Sequence, residues 1–149
     1  MRILRITAAA LVAAFAATAA TVTPAQAAPA PGPMLLVPAV KAIQSAQPTW
    51  VKAYWGTTAD ICDAKVTVQV ADTELVYPSN TGTYTSFARD DTLATGSTDY
   101  TAFAVASTVD RTIVRAMHLT IGYRAWSKAG CTGPTVTRTF YASLPIRKA

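Results

Sequence analysis

From Thr49 onward, apolar and polar side chains alternate with a period of two, which no helical face can accommodate. The clearest run is CDAKVTVQV, residues 62–70. Cys62, Ala64, Val66, Val68 and Val70 share one side; Asp63, Lys65, Thr67 and Gln69 share the other. In RAMHLTIGYRA, residues 115–125, Met117, Leu119, Ile121 and Tyr123 oppose His118, Thr120 and Arg124. In TVTRTFYASLPI, residues 135–146, the apolar side is Phe140, Ala142 and Leu144. Alternation of this kind requires half-buried strands, most simply in antiparallel sheets. Threonine reinforces it, because a branched Cβ packs well on a pleated surface and poorly in a helix. Nineteen threonines lie at or after Thr49.

Four weaker runs fit the same scheme: TWVKAYWG (49–56), TELVYP (73–78), TYTSFA (83–88) and DYTAFAVAS (99–107). Turn residues separate them at Pro78-Ser79-Asn80, Thr95-Gly96-Ser97 and from Ala129-Gly130 to Gly133-Pro134. About seven antiparallel strands at this spacing predict an all-β, two-sheet sandwich over residues 49–149.

The chain begins differently. Arg2 and Arg5 precede an uncharged, alanine-rich run, and Ala25-Gln26-Ala27 fits a small-x-small cleavage site. Residues 1–27 are therefore expected to be a secretory signal peptide. The run is too short for the ~20 residues of a spanning helix, so no membrane insertion is expected after cleavage. Residues 28–48 form a Pro/Ala-rich segment. Its first part, APAPGP, is expected to be extended and poorly ordered. Within MLLVPAVKAIQSAQP, Val37, Val40 and Ile43 suit either a short helix from Pro38 or an irregular strand that the proline interrupts.

Export makes the two cysteines informative. Cys62 and Cys131 are expected to pair as a disulfide in an oxidising compartment, with Cys131 in a Gly-rich connection that the bond ties to a sheet end. Two cysteines and one histidine cannot complete a structural zinc site without carboxylates. The net charge is +5, and removing Arg2 and Arg5 leaves 11 basic and 8 acidic residues; the basic ones are dispersed singly apart from Arg147-Lys148. Nucleic-acid binding needs a clustered basic stripe, so no nucleic-acid partner is expected.

The layout DTLATGSTDYTAFAV, with Leu93, then Gly96, then an alternating strand from Asp99, resembles a recurrent turn of bacterial secreted immunoglobulin-like accessory modules. RTIVRAMHLTIGYRA would be the penultimate strand of such a module. The resemblance covers residues 91–125; the family often has proline before that glycine, and Thr95 stands here. It implies an immunoglobulin-like sandwich and a non-catalytic accessory role, and it transfers no functional residue. In an antibody domain, by contrast, the cysteine pair crosses the core between mid-strand positions.

Candidate chemistry is sparse. His118 falls on the polar side of its strand, with no nucleophile elbow in the sequence. Glu74 is the single glutamate, so paired carboxylates would have to be aspartates. Asp90 and Asp91 face opposite ways on an extended backbone and are expected, with Asp99, to bond nearby backbone amides in a turn. These three are the remaining calcium candidates, since hard oxygen ligands could gather at a sandwich end. Asp60 and Asp63 flank Cys62 and read as solvated. Trp50 and Tyr54 lie on one side of their run and Val51, Ala53 and Trp55 on the other, so one side must be core. Trp50, Tyr54, Tyr77 and Tyr84 are the candidate ligand platform.

The expectation is a secreted, non-catalytic binding or structural module, with no cofactor, whose partner is a protein or a cell-surface polymer. The alternatives are a small-ligand or carbohydrate-binding carrier, similar in size and compartment to proteins of the neocarzinostatin kind, and a protease inhibitor using the loop around Cys131.

Overall fold

The computed structural model describes residues 31–78 and 81–149; the expected signal peptide lies outside them. Among the described residues eight strands form: β1 (Pro33–Leu35), β2 (Ile43–Gln44), β3 (Thr49–Thr57), β4 (Ile61–Val70), β5 (Thr73–Val76), β6 (Thr98–Ser107), β7 (Ile113–Ser127) and β8 (Gly130–Arg147). One sheet has the order β1-β3-β6-β5 and the other β2-β8-β7-β4. Neighbours are antiparallel, except that β2 runs parallel to β8. The chain starts on the edge of one sheet and crosses to the edge of the other before the remaining strands build the two faces. That is the strand order of an immunoglobulin-like sandwich.

Two details differ from the sequence expectation. Residues 34–48 form no helix and do not precede the sandwich: they belong to it, so it begins at Pro33 rather than at residue 49. The reason is the open sheet edges. The Leu36 amide donates to the Tyr54 carbonyl at 2.9 Å, and the Ser143 amide donates to the Pro38 carbonyl at 2.8 Å. Pro38 has no amide to satisfy, while Val40 and Ile43 are buried in the core. These partners outweigh what a short isolated helix would gain. The second difference is TYTSFA, which makes single bridges rather than a ladder: Thr85 with Val66 on β4, and Phe87 with Thr101 on β6.

The core fills the space between the sheets. Val51, Ala53 and Trp55 of β3 meet Met117, Leu119 and Ile121 of β7 and Leu144 and Ile146 of β8, with Phe103 and Val105 from β6. Leu93 plugs the margin of this core, and Gly96 turns the chain at φ 76°. The 83–103 region is therefore a corner between sheets.

Cys62 departs from its expected face. The β4–β7 register slips between Cys62 and Lys65, where Asp63 adopts φ 52°. This bulge puts Ile61, rather than Cys62, on the core side with Ala64 and Val66. Cys62 is thereby turned out of the core cluster to bond Cys131, at a sequence separation of 69. Cys131 is not in a loop: the connection is a tight turn between Ser127 and Gly130, and Cys131 opposes Trp126 within β8. The bond joins the two strands that flank β7 and so curls the start of β8 over the sheet toward β4.

The free margin of β4 is closed without a strand. Leu93 bridges Ile61, the Ala64 carbonyl accepts from the Ser86 hydroxyl, and Thr85 bridges Val66. The Tyr77 hydroxyl takes the place of a strand at Val68, accepting from its amide at 2.8 Å and donating to its carbonyl at 3.3 Å.

Candidate functional site

On the outer face of the first sheet, the strand register assembles an aromatic patch. β3 turns Trp50, Lys52 and Tyr54 to solvent because Val51, Ala53 and Trp55 go inward. Across the ladder these stand opposite Ala104, Ala102 and Tyr100 of β6. Val76 of β5 then flanks Ala104 on its other side. Small side chains along β6 make a low floor between the larger ones. Tyr54 and Tyr100 lie 5.8 Å apart at 54°, and the Lys52 ammonium sits 4.0 Å over the Tyr100 ring. Trp50 is 57% exposed and Tyr54 44%. Beside them, the crossover from β1 to β2 supplies Val37, Ala39, Val40 and Lys41 as the second wall of a groove of about 300 Å³.

The four aromatics named from the sequence do not form one platform. Trp50 and Tyr54 belong to this patch; Tyr77 is spent on the β4 margin. Tyr84 stands near the Lys65 ammonium, 5.6 Å from its ring, on the β4 side. Tyr100 was missed, because its own run gave no reason to prefer it; only the register with Tyr54 brings it in. The tilt between the two tyrosine rings makes the patch a ridged surface rather than a flat sugar-stacking plane.

The acidic residues act on the backbone. Asp90 accepts from the Thr92 hydroxyl and amide, both at 2.7 Å. Asp99 accepts from the amides of Arg89 and Tyr100. Asp60 accepts from the Thr95 amide at 2.6 Å, and half-buried Asp63 pairs with Lys65 at 3.1 Å. Asp91 is exposed. Among the described residues, no three histidine, cysteine or acidic side chains gather as a cation site. His118 is exposed on β7 and packs edge-on against Tyr141 at 4.9 Å.

Three carboxyls are held below their usual range. For Asp90 the cause is first the Thr92 hydroxyl and then its amide. For Asp60 it is the Thr95 amide and then its hydroxyl. For Asp110 it is the Ser45 hydroxyl and then the Ala149 amide. A depressed folded pKa contributes stability above the unfolded value, and this is lost as pH falls through the folded one. The melting temperature should therefore hold from neutral pH down to about 5 and fall below about pH 4. Thermal melts should show a shallower acid slope for Asp90→Asn; an unchanged slope would refute the role given to that carboxylate.

No family model and no curated protein matches the chain. Among solved structures it is similar to AvmM, which catalyses macrocyclization in alchivemycin A biosynthesis (10% identity over 80% of this chain and 89% of that one, TM-score 0.48). It is similar to the GAE domain of GGA2p from Saccharomyces cerevisiae (9% identity, 78% and 98% covered, TM-score 0.47). It is also similar to the ASH/PapD-like domain 7 of human CEP192 (8% identity, 88% and 94% covered, TM-score 0.45). The strand order described above stands on hydrogen-bond register and not on these likenesses.

Proposed function

We propose that this chain is an exported, non-catalytic binding module that recognises a protein or cell-surface polymer through the outer face of its β1-β3-β6-β5 sheet. The observation that carries this reading is Trp50. An indole more than half exposed, continuous with Tyr54, Val37 and Val76, is costly to leave in water and marks an interaction surface. Tryptophan and tyrosine are also the side chains that most often dominate binding energy. Export is supported by the N-terminal sequence pattern and by the Cys62–Cys131 bond. A non-catalytic role is supported by the spending of Asp60, Asp90 and Asp99 on backbone amides, and by the edge-on packing of the His118 ring against Tyr141.

A small-ligand carrier is the second reading, favoured by the groove between Val37–Lys41 and Trp50–Tyr54; its volume is at the low end for such sites. The inhibitor reading gains no support, because the tip of the hairpin is paired around Cys131 itself, with Ala125 opposite Thr132, Trp126 opposite Cys131 and Ser127 opposite Gly130. A protease cleft needs an extended backbone that is free to pair.

The test is retention of the mature protein on cell-wall material and secreted proteins from its own source. Trp50→Ala should weaken capture about 30-fold, as removal of a ~2 kcal/mol anchor does. Trp126→Ala, on the distant hairpin, should leave it unchanged. A partner captured equally well by wild type and Trp50→Ala would overturn the reading.

A further inference from the structure

The two margins of the β2-β8-β7-β4 sheet are treated differently. The β4 margin is closed residue by residue by Leu93, Ser86, Thr85 and Tyr77. The β8 margin is closed only at its far end: Ser143 donates to Pro38 and accepts from Val40, and the Arg147 carbonyl accepts from Ser45. In a strand, both backbone polar groups of a residue point to one side, and every second residue points the same way. Since Ser143 points away from β7, so do Tyr141, Thr139 and Thr137. Beyond Ser143 no strand occupies that side among the described residues.

We propose that this open stretch, residues 137–141, pairs with the same stretch of a second copy about a twofold axis at Thr139. The window is bounded at both ends in the way such a pair needs. The crossover at Pro38–Val40 fills the margin at Ser143, so a second β8 must leave the plane by its own residue 135. It does leave there. Gly133, Pro134 and Thr135 bulge against β7, where Val136 pairs with Tyr123 but Thr132 already pairs with Ala125. The disulfide then draws Cys131 over the sheet toward β4, away from the open side.

The chemistry of the stretch is self-complementary. An antiparallel pair centred on Thr139 sets Thr139 against Thr139 of the second copy and Tyr141 against its Thr137, for ~6 backbone hydrogen bonds. Tyr141, 67% exposed, is steadied by the His118 ring, and the Thr139 hydroxyl is held by that of Thr120 at 3.0 Å. Charge, the usual guard of an open margin, is turned aside: the single cation of the stretch, Arg138, reaches inward to the Pro31 carbonyl at 3.0 Å and over the Tyr123 ring. The result is one continuous sheet running from β4 of one copy to β4 of the other.

The interface is small, so the dimer should be a weak one, with a dissociation constant of ~10–100 μM. Sedimentation equilibrium of the mature protein from ~1 to ~500 μM should show conversion from monomer to dimer. Thr139→Lys puts two ammoniums face to face at the axis and should leave a monomer throughout, with an unchanged near-UV spectrum. Thr139→Pro removes an amide that β7 does not use and should act alike. Amide exchange at Thr137, Thr139 and Tyr141 should slow as concentration rises. A wild-type monomer at ~500 μM, a Thr139→Lys variant that still dimerises, or a dimer with unprotected amides at those residues would each overturn the proposal. Trp50→Ala should dimerise normally, so this result is independent of partner capture through the other sheet.

Discussion

Trp55→Ala should lower the unfolding free energy by about 4 kcal/mol, within the range for emptying an aromatic core site. The indole has no exposed surface, donates to the Thr101 hydroxyl at 3.0 Å and meets Phe140 edge-on at 5.2 Å. Truncation removes apolar contact, opens a void between the sheets and orphans a buried hydroxyl. Such a loss is a large share of the ~5–15 kcal/mol that holds a typical domain. Trp55→Phe separates the terms: it keeps most of the packing but leaves Thr101 without its donor, and should cost about 1–3 kcal/mol. Urea unfolding followed by circular dichroism measures both. A loss below about 1 kcal/mol for Trp55→Ala would mean that the indole is not in the core.

Removing the disulfide by the double substitution Cys62→Ala and Cys131→Ala should destabilise the fold by roughly 4 kcal/mol, the chain-entropy value for a closed loop of about 70 residues. The melting midpoint should fall by about 15 °C. The damage should be uneven, because the bond holds the curled start of β8 while the core cluster lies elsewhere. Amides near Trp126 should lose protection first, and those of Met117 to Ile121 last. Intact-mass analysis with alkylation gives a prior check: two modifiable thiols before reduction would remove the premise.

The long strands were legible because each buries one side along nine or more residues, so the period survives any local irregularity. β1 and β2 were not legible: at three and two residues they are too short to carry a period. Their place is decided by distant backbone groups on β3 and β8. The cysteine pair could be read from its count and the expected export, but the face of Cys62 could not. Strict alternation assigned it to the core, and the left-handed turn at Asp63 shifts the frame by one residue. The aromatic patch was half legible. Trp50 and Tyr54 follow from spacing within one strand, whereas Tyr100 joins them, and Tyr77 and Tyr84 leave them, only through pairings between strands.

The corner between sheets also governs how the molecule ages. Residues 85–88 hold β6 as well as β4: the Thr85 hydroxyl donates to the Ala102 carbonyl, and the Ala88 amide to that of Tyr100. Peeling this strap away together with Tyr77, which caps Val68, would bare Val66-Thr67-Val68-Gln69-Val70, an uncharged, proline-free stretch of the composition that stacks into fibrils. Storage life and tolerance of agitation should therefore follow the local opening of that strap, well below the temperature at which the whole sandwich melts.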